Sequence, residues 1–284
     1  ALGHFYNLCK GLNHHTPYLT PENISFVNEI FSKFSAQADE DSKKKFDFDK
    51  NPGKVTGNGS AHWKKVVEKR CAPFIPLIEA TFKKYAHMPY AVDPLLFAAL
   101  MKRESHFDAH ALSPVGAAGL LQIMPETAKE LGMKNIYQPA YFDRAFELMT
   151  QERSTRRQAM EALFGITGKN KMQSAEKARS LAKKSLSLER KKDGLLTRYR
   201  KTLLKKGADD RFNPPLAIEY GYRYLSKLMK DQKGDMSLAL ASYNAGPHRV
   251  EQYGGIPPFS ETVRFRNMVL KYYREYLEKA EEAT

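Results

Sequence analysis

The stretch DPLLFAALMKRESHFDAHALSPVGAAGLLQIMP, residues 93–125, decides the fold. Asp93 and Pro94 predict a helix start, because aspartate caps free backbone N–H groups and proline suits the first helical position. The apolar run after them predicts a largely buried helix over residues 95–105. The glycines of residues 113–119 predict a turn, since glycine adopts backbone conformations that other residues resist.

Helical patterns flank this stretch on both sides. Residues 20–37 begin with Thr20 and Pro21 and carry apolar residues at three- and four-residue spacing, which predicts a packing helix. Residues 38–61 are polar, charged and glycine-rich, which predicts a loop or linker. No sustained two-residue alternation of a strand occurs, so the protein is predicted to be mainly α. Further helices are predicted over residues 63–86, 125–131, 215–230, 236–244 and 261–282.

The positive charge of the chain is concentrated in one segment. The 284 residues carry a formal net charge of +14, and residues 151–211 hold 18 Lys or Arg against 7 Asp or Glu. Residues 140–211 are rich in helix formers, and glycines at 168, 194 and 207 predict breaks between two or three helices. Two interpretations remain open: a solvated helical face, or a surface for anionic polymers.

Glu104 is the candidate for chemistry in residues 93–125. It stands at the end of the apolar run and shortly before the glycine-rich turn, which predicts a carboxyl on a rigid element beside a groove. Partial burial would raise its pKa and keep it protonated, as a proton donor to a glycosidic oxygen must be. The alternative is an exposed glutamate at a helix end, paired with Lys or Arg.

Four blocks of the sequence resemble soluble lytic transglycosylases, which share a lysozyme-like fold with goose-type lysozyme. RESHFD at residues 103–108 and ALSPVGAAGLLQIMP at residues 111–125 resemble the family signature, and ALASYNAG at residues 239–246 is similar to its second motif. Residues 213–225 resemble the intervening helix, and residues 261–262 match the family's C-terminal pair. Together the blocks cover residues 75–135 and 212–275, about half of the chain.

The resemblance implies an enzyme that cuts peptidoglycan glycan strands without a cofactor or metal. Glu104 would be the single catalytic acid and base, and Tyr243 would hold or polarise it through its hydroxyl. Met124 could instead belong to the core, and Ser113 could simply cap a turn. The residues implied to line the sugar groove are Ser113, Gln122, Met124, Asn244 and Glu261.

The implied reaction breaks the β-1,4 bond between N-acetylmuramic acid and N-acetylglucosamine with one glutamate. Glu104 would protonate the glycosidic oxygen and then take a proton from the muramic C6 hydroxyl, which attacks C1 and leaves a 1,6-anhydro end. Water in place of that hydroxyl would make a hydrolytic lysozyme, including one for deacetylated glycan. Asp108 is a candidate second carboxylate if the helix continues beyond Glu104.

Three positions depart from the family pattern. Ser242 replaces the usual alanine, Phe265 stands where tyrosine is common, and His106 stands where many transglycosylases have glycine. RESH resembles goose-type lysozyme equally, so the transglycosylase and hydrolase outcomes both stay open. His106 and His110 have the spacing of helical metal ligands, but no further ligand motif accompanies them and no zinc site is expected.

Two other function classes are disfavoured. A non-catalytic wall-binding scaffold would not need Glu104, Gln122, Tyr243 and Asn244, all of which are retained. Nucleic-acid binding through residues 151–211 lacks both a recognisable motif and the aromatic residues of a stacking platform. The expected partners are therefore peptidoglycan and, through the basic segment, anionic cell-wall polymers.

The domain organisation follows from the resemblance. Residues 1–72 are predicted to form a helical extension and linker, and residues 73–284 a lysozyme-like catalytic domain interrupted by a basic helical insertion at 140–211. No apolar run is long enough for a transmembrane segment. The start at Ala1 without Met suggests an exported protein, periplasmic or secreted. The protein is expected to be a monomer. Cys9 and Cys71 could form a disulfide or remain separate thiols.

Overall fold

The computed structural model describes residues 63–88, 90, 92–164 and 171–282. Within these ranges the backbone is helical apart from turns and two isolated β-bridges, so the prediction of a mainly α fold is confirmed. The predicted helix at 20–37, the linker at 38–61 and Cys9 lie outside the described residues. The helices are α1 (Trp63–Val66), α2 (Ile75–Lys84), α3 (Pro94–Ser105), α4 (Pro125–Leu131), α5 (Ala140–Phe164), α6 (Lys171–Lys206), α7 (Pro214–Asp231), α8 (Met236–Ala245), α9 (Pro247–Tyr253) and α10 (Ser260–Glu282).

The described residues fall into two compact units. One contains residues 138–164 and 171–199, and the other contains residues 63–88, 90, 92–137 and 200–282. No helix in the described ranges combines the length and the apolarity needed to cross a bilayer.

Helix α3 lies at the centre of the larger unit. The Asp93 carboxylate accepts hydrogen bonds from Leu95 N at 2.8 Å and Leu96 N at 3.3 Å, which caps the first turn as predicted. Every residue from Leu95 to Met101 is at most 2% exposed. Such a helix must be covered on all sides, and α10 packs along it. The apolar stripe of α10 that supplies this cover consists of Phe265, Val269, Tyr273, Tyr276 and Ala280.

The remaining helices of the larger unit contact α10 and one another. Helix α8 packs against α7, α9 and α10, while α7 also contacts α2 and α4. The predicted helical stretch at 63–86 is interrupted by a 3-10 segment, Lys69–Phe74, which contains Pro73. Proline lacks the N–H that an α-helix needs, and Pro76 then starts α2 at its first turn. Cys71 is a buried free thiol in this segment.

The smaller unit is an antiparallel pair formed by α5 and the first part of α6. The rings of Phe142 and Tyr199 lie 4.2 Å apart, and Ser185 Oγ donates to Glu152 Oε1 at 3.2 Å. The buried residues of α5 recur every three or four positions, and the buried residues of α6 in this unit lie on one face of the helix. The buried residues of α6 are Ala178, Ser185, Leu196 and Tyr199.

The predicted break at Gly194 is wrong, because α6 continues through this residue. A mid-helix glycine costs only about 1 kcal/mol, and the buried residues Leu196, Tyr199 and Leu203 that follow it keep the helix packed. The predicted break at Gly207 is confirmed, because α6 ends at Lys206 and Gly207 follows it with a φ of 65°, which glycine adopts easily. Gly168 lies outside the described residues.

Candidate active site

Glu104 occupies the last turn of α3, which ends at Ser105. His106 and Phe107 both have left-handed backbones, with φ of 53° and 63°, and His106 N closes the helix on Lys102 O at 3.1 Å. Two successive non-glycine residues in this region are strained, and Phe107 is held there by burial at 7% exposure. The chain therefore turns sharply away directly after Glu104 and Ser105.

This turn removes Asp108 from the helix face of Glu104. The continued helix that would make Asp108 a second carboxylate is wrong, and its Oδ1 instead accepts from His110 N at 2.8 Å. His106 and His110 likewise do not share a helix, so the spacing of helical metal ligands is lost. The His110 ring stacks on Phe212 with centroids 5.5 Å apart.

The environment of Glu104 favours the protonated carboxyl. The residue is partly buried, and desolvation of its carboxyl raises the pKa of Glu104 to about 8. The positive charge of Arg103 lowers this pKa, whereas the negative charge of Glu261 raises it further. Within the described part of the chain, no side chain or backbone group makes a hydrogen bond or ion pair with the Glu104 carboxyl.

Tyr243 lies beside Glu104, on α8. Its hydroxyl donates to Leu121 O at 2.9 Å, and its ring contacts Tyr224 at 5.2 Å and stacks parallel to Phe265 at 6.5 Å. Burial, followed by the charge of Glu104, raises the pKa of Tyr243 well above its usual value. Because its proton is bonded to Leu121 O, the phenol presents lone pairs, which can accept a hydrogen bond from protonated Glu104.

The glycine-rich turn positions two of the predicted groove residues. Gln122 has φ of 45°, and its Nε2 donates to Ala111 O and Gly119 O, both at 3.0 Å. Its amide oxygen is therefore the group left for a ligand. Ser113 Oγ accepts from Ala117 N at 2.9 Å, so this hydroxyl does cap a turn and keeps its own hydrogen for a further bond.

Asn244 lies on α8 and Glu261 on α10, and Thr262, the residue after Glu261, links the two helices. Thr262 Oγ1 donates to Asn244 Oδ1 at 2.9 Å, which leaves the Asn244 amide hydrogens for a ligand. Glu261 lies exposed in the first turn of α10. Met124 is partly exposed at the N-cap of α4 and is absent from the central core cluster, so it is not a core residue.

Arg211 supports the glycine-rich turn, whereas the sequence analysis counted it only among the basic residues of segment 151–211. It is fully buried and pairs through two nitrogens with Asp209, both at 2.8 Å. Its Nη1 donates to Gly116 O at 3.0 Å and Ile123 O at 3.2 Å, across the base of the glycine-rich turn. Only the adjacent acidic pair, Asp209 and Asp210, could have indicated in the sequence that this arginine is neutralised and buried.

Phe265 and Ser242, two of the departures from the family pattern, are both buried in the structure. Phe265 is 1% exposed and lies between the Tyr243 ring and the Arg103 guanidinium, which is 5.4 Å from the centre of its ring. A tyrosine hydroxyl here would need a buried partner. Ser242 is fully buried, and its hydroxyl accepts from Gln232 Nε2 at 3.4 Å, which explains how a polar residue is tolerated.

The site thus joins a protonated carboxyl to hydrogen-bonding groups from three elements: the glycine-rich turn, α8 and the start of α10. Residues 80–145 and 195–263 of the chain match the Transglycosylase SLT domain. These residues, just under half of the chain, confirm for this domain the resemblance to soluble lytic transglycosylases that the sequence motifs indicated. The match stops within α5 and resumes within α6.

Individual relatives are similar over short stretches. A transglycosylase of Enterobacteria phage PRD1 is 46% identical over 54 residues, which are 19% of this chain and 20% of that protein. Membrane-bound lytic murein transglycosylase F of Salmonella arizonae is 44% identical over 59 residues, or 21% of this chain and 11% of that protein. The chain therefore spans a fifth or less of the length of these relatives.

Among solved structures, an inactive mutant of the lytic transglycosylase Slt from Pseudomonas aeruginosa is similar with a TM-score of 0.40 and 20% identity. The similarity covers 74% of this chain and 25% of that one.

Proposed function

We propose that this protein cleaves the β-1,4 bond between N-acetylmuramic acid and N-acetylglucosamine in peptidoglycan, with Glu104 as the single acid and base. The observation that carries the proposal is a desolvated carboxyl at the end of a buried helix, inside the domain that matches the family. A carboxyl with a pKa near 8 still holds its proton at neutral pH. It can therefore donate that proton to the oxygen of the leaving sugar.

The second half of the reaction uses the same carboxyl as a base. After protonating the glycosidic oxygen, Glu104 is ionised in a poorly solvated site and readily takes a proton from the C6 hydroxyl of the muramic sugar. The C6 oxygen bonds to C1 as the glycosidic C1–O bond breaks, so a 1,6-anhydro end forms without water. The absence of Asp108 from this face favours a route that needs one carboxylate.

Tyr243 acts as a positioning residue in this proposal. Leu121 O fixes the direction of the phenol hydrogen, which leaves the hydroxyl oxygen available to accept a hydrogen bond from protonated Glu104 during the reaction. The sugar chain contacts Ser113, Gln122, Met124, Asn244 and Glu261, through the groups that the protein's own hydrogen bonds leave unused. Because peptidoglycan lies outside the cytoplasmic membrane, the proposed site of action is the periplasm or the cell exterior.

The product ends test this function and separate its two outcomes. Purified sacculi, N-acetylated and deacetylated, are digested with the wild type and with Glu104→Gln, and the released glycan ends are identified by mass spectrometry. Anhydro ends are expected from the wild type, and no release above background is expected from the variant. Reducing ends would instead identify the hydrolytic lysozyme. Cleavage by Glu104→Gln at the wild-type rate would remove Glu104 from the mechanism.

A second proposal concerns the basic segment, which we infer binds anionic wall polymers. Helix α6 carries 13 Lys or Arg against 3 Asp or Glu, whereas its partner α5 carries four of each. Exposed basic residues lie on the side of α6 opposite the seam with α5, over about 39 Å at 1.5 Å per residue. They are Arg179, Lys183, Arg190, Lys201 and Lys205.

This surface is tested by neutralising it without shortening the chain. Changing Arg179, Lys183 and Arg190 to Gln should weaken binding to sacculi at low salt and flatten its dependence on salt. The matched control changes Arg153, Arg156 and Arg157 of α5 to Gln, removing equal charge from the neutral helix. Equal binding by both triple variants would contradict the proposal. If the α6 triple variant binds sacculi like the wild type but no longer binds vesicles containing phosphatidylglycerol, the surface binds membrane instead.

A further inference from the structure

Two exposed aromatic rings lie together in the loop between α9 and α10. Tyr253 is 47% exposed and Phe259 is 37% exposed, and their ring centroids are 5.5 Å apart with an angle of 81° between the planes. An edge-to-face pair leaves the face of one ring open to a ligand while the other ring supports it. Among the ring–ring contacts of the described residues, this is the only one in which both rings are exposed.

The loop that carries the rings is held by its own backbone. Gly254 N and Gly255 N bond to Glu251 O and Val250 O, both at 3.0 Å, and Phe259 N bonds to Pro257 O at 2.7 Å. The dipeptide Pro257-Pro258 fixes two further φ angles, and Pro257 is buried. The rings are thus arranged before any ligand arrives, so binding need not order them.

The ring pair is joined to the proposed sugar site at the end of the loop that leads into α10. Phe259 O accepts from Val263 N at 3.0 Å, so Phe259 directly precedes the first turn of α10, which carries Glu261. The hydrogen bond from Thr262 to Asn244 ties this turn to α8. Glu261 is also near enough for its charge to act on Glu104. The rings therefore extend the row of groups that begins at the catalytic carboxyl.

We propose that Tyr253 and Phe259 form a stacking subsite for the apolar face of a pyranose ring in the glycan strand, beyond the bond that is cut. This inference rests on the proposed function, since it takes a polymer of N-acetylated sugars as the ligand. The C–H face of a pyranose is apolar and uncharged, and exposed rings with a preset geometry suit it. Such a contact adds affinity for longer strands without taking part in the chemistry.

Binding to peptide-free glycan strands tests the subsite separately from cleavage. The full chain with Glu104→Gln serves as the parent, and Kd is measured by fluorescence anisotropy with end-labelled strands. Tyr253→Ala and Phe259→Ala are each expected to raise Kd about fivefold to tenfold. Phe259→Trp should preserve the parent Kd, and Phe259→Leu should weaken binding as much as alanine does. The matched control is Leu204→Ala, which removes an equally exposed apolar side chain from α6.

Each outcome decides between subsite, enzyme and other uses of the rings. An unchanged Kd for both alanine variants, or full binding by Phe259→Leu, overturns the stacking subsite while cleavage by the wild type can still stand. If binding depends on the two rings but the wild type releases no glycan from sacculi, the proposed cleavage activity is overturned and the stacking subsite stands. A Phe259→Ala variant that changes only the sedimentation of the protein assigns the rings to contact between copies, which also overturns the subsite.

Discussion

At the scale of single residues, the raised pKa of Glu104 comes from the lack of water and hydrogen-bond donors around its carboxyl. The last turn of a buried helix gives the carboxyl little water, and the described residues provide no hydrogen-bond donor for its anion. Arg103 partly offsets this effect, and Glu261 reinforces it. A carboxyl in such a place is costly to ionise, and this cost is what makes it a proton donor at neutral pH.

Replacing Glu104 with glutamine should therefore stabilise the protein at alkaline pH. The folded state holds the Glu104 proton up to about pH 8, whereas the unfolded state releases it near the ordinary pKa of 4.5. Between these two pH values the folded state binds more protons than the unfolded state. The free energy of unfolding therefore falls by up to about 1.4 kcal/mol for each unit by which the pH rises. Glu104→Gln lacks this fall and should match the wild type at pH 4 but exceed it by a few kcal/mol at pH 8.5.

Urea unfolding at a series of pH values measures this difference. The matched control is Glu251→Gln, which removes an exposed carboxyl from α9. A constant difference between Glu104→Gln and the wild type from pH 4 to 8.5 would show that the carboxyl is well solvated in the folded protein.

His106 has a strained backbone close to Glu104. With φ of 53° it adopts the left-handed region that glycine enters freely, and many family members have glycine at this position. His106→Gly should relieve the strain and change the free energy of unfolding by at most about 1 kcal/mol in the stabilising direction. His110→Gly, at an ordinary backbone conformation, should destabilise the protein instead. Thermal unfolding of both variants checks the contrast, and equal destabilisation would contradict it.

At the scale of elements, the glycine-rich turn is fixed from beneath by an ion pair. Arg211 reaches two carbonyls of the turn while Asp209 neutralises it. The backbone of Arg211 also approaches so closely that a Cβ on Gly119 would lie 1.8 Å from its carbonyl oxygen. The turn therefore packs directly on the 3-10 segment Asp210–Phe212. This packing fixes the positions of Gln122 and Ser113.

Gly119→Ala should be among the most damaging single substitutions in the larger unit. Its φ of 79° is strained for alanine, and the clash is with backbone, which cannot turn aside. We expect a loss of more than about 3 kcal/mol in unfolding free energy and of nearly all cleavage activity. Gly254→Ala is the matched control, because its φ of 60° is similarly left-handed but its Cβ would meet open space. It should cost only about 1 kcal/mol and keep activity, and equal losses from the two variants would refute the argument.

Local chemistry made most element boundaries predictable. Asp93 with Pro94 fixed the start of α3, and Gly132 ended α4 where the sequence predicted it. Gly194 did not break α6, because side-chain packing on the seam outweighs the propensity of one exposed glycine. The sharp turn at His106 and Phe107 was unpredictable from either residue type, since tertiary burial of Phe107 enforces it. Arg211 shows the same limit, because charge composition alone cannot tell a buried arginine from a solvated one.

At the scale of the whole molecule, charge and chemistry occupy different parts of the chain. The residues proposed for catalysis lie in the unit made of residues 63–88, 90, 92–137 and 200–282, whereas most of the excess positive charge belongs to α6. The family match also stops at residue 145 and resumes at 195. This separation agrees with a proposed insertion that adds affinity for a polyanion to a complete catalytic domain.

A shortened hairpin should therefore separate adsorption from catalysis. Replacing residues 146–194 with a short Gly-Ser turn removes 12 Lys or Arg and 6 Asp or Glu, yet keeps the contacting rings of Phe142 and Tyr199. We expect kcat on short soluble glycan fragments to change less than about twofold, because the groups proposed to contact the sugar are retained. Binding to sacculi at low salt should fall about tenfold or more, with a smaller slope against salt concentration. The triple variant of Arg179, Lys183 and Arg190 should show the same pattern in milder form, since it loses charge without losing helix. If the shortened protein stays folded by circular dichroism but no longer cuts soluble fragments, residues 146–194 contribute to the chemistry and the insertion is not an accessory element.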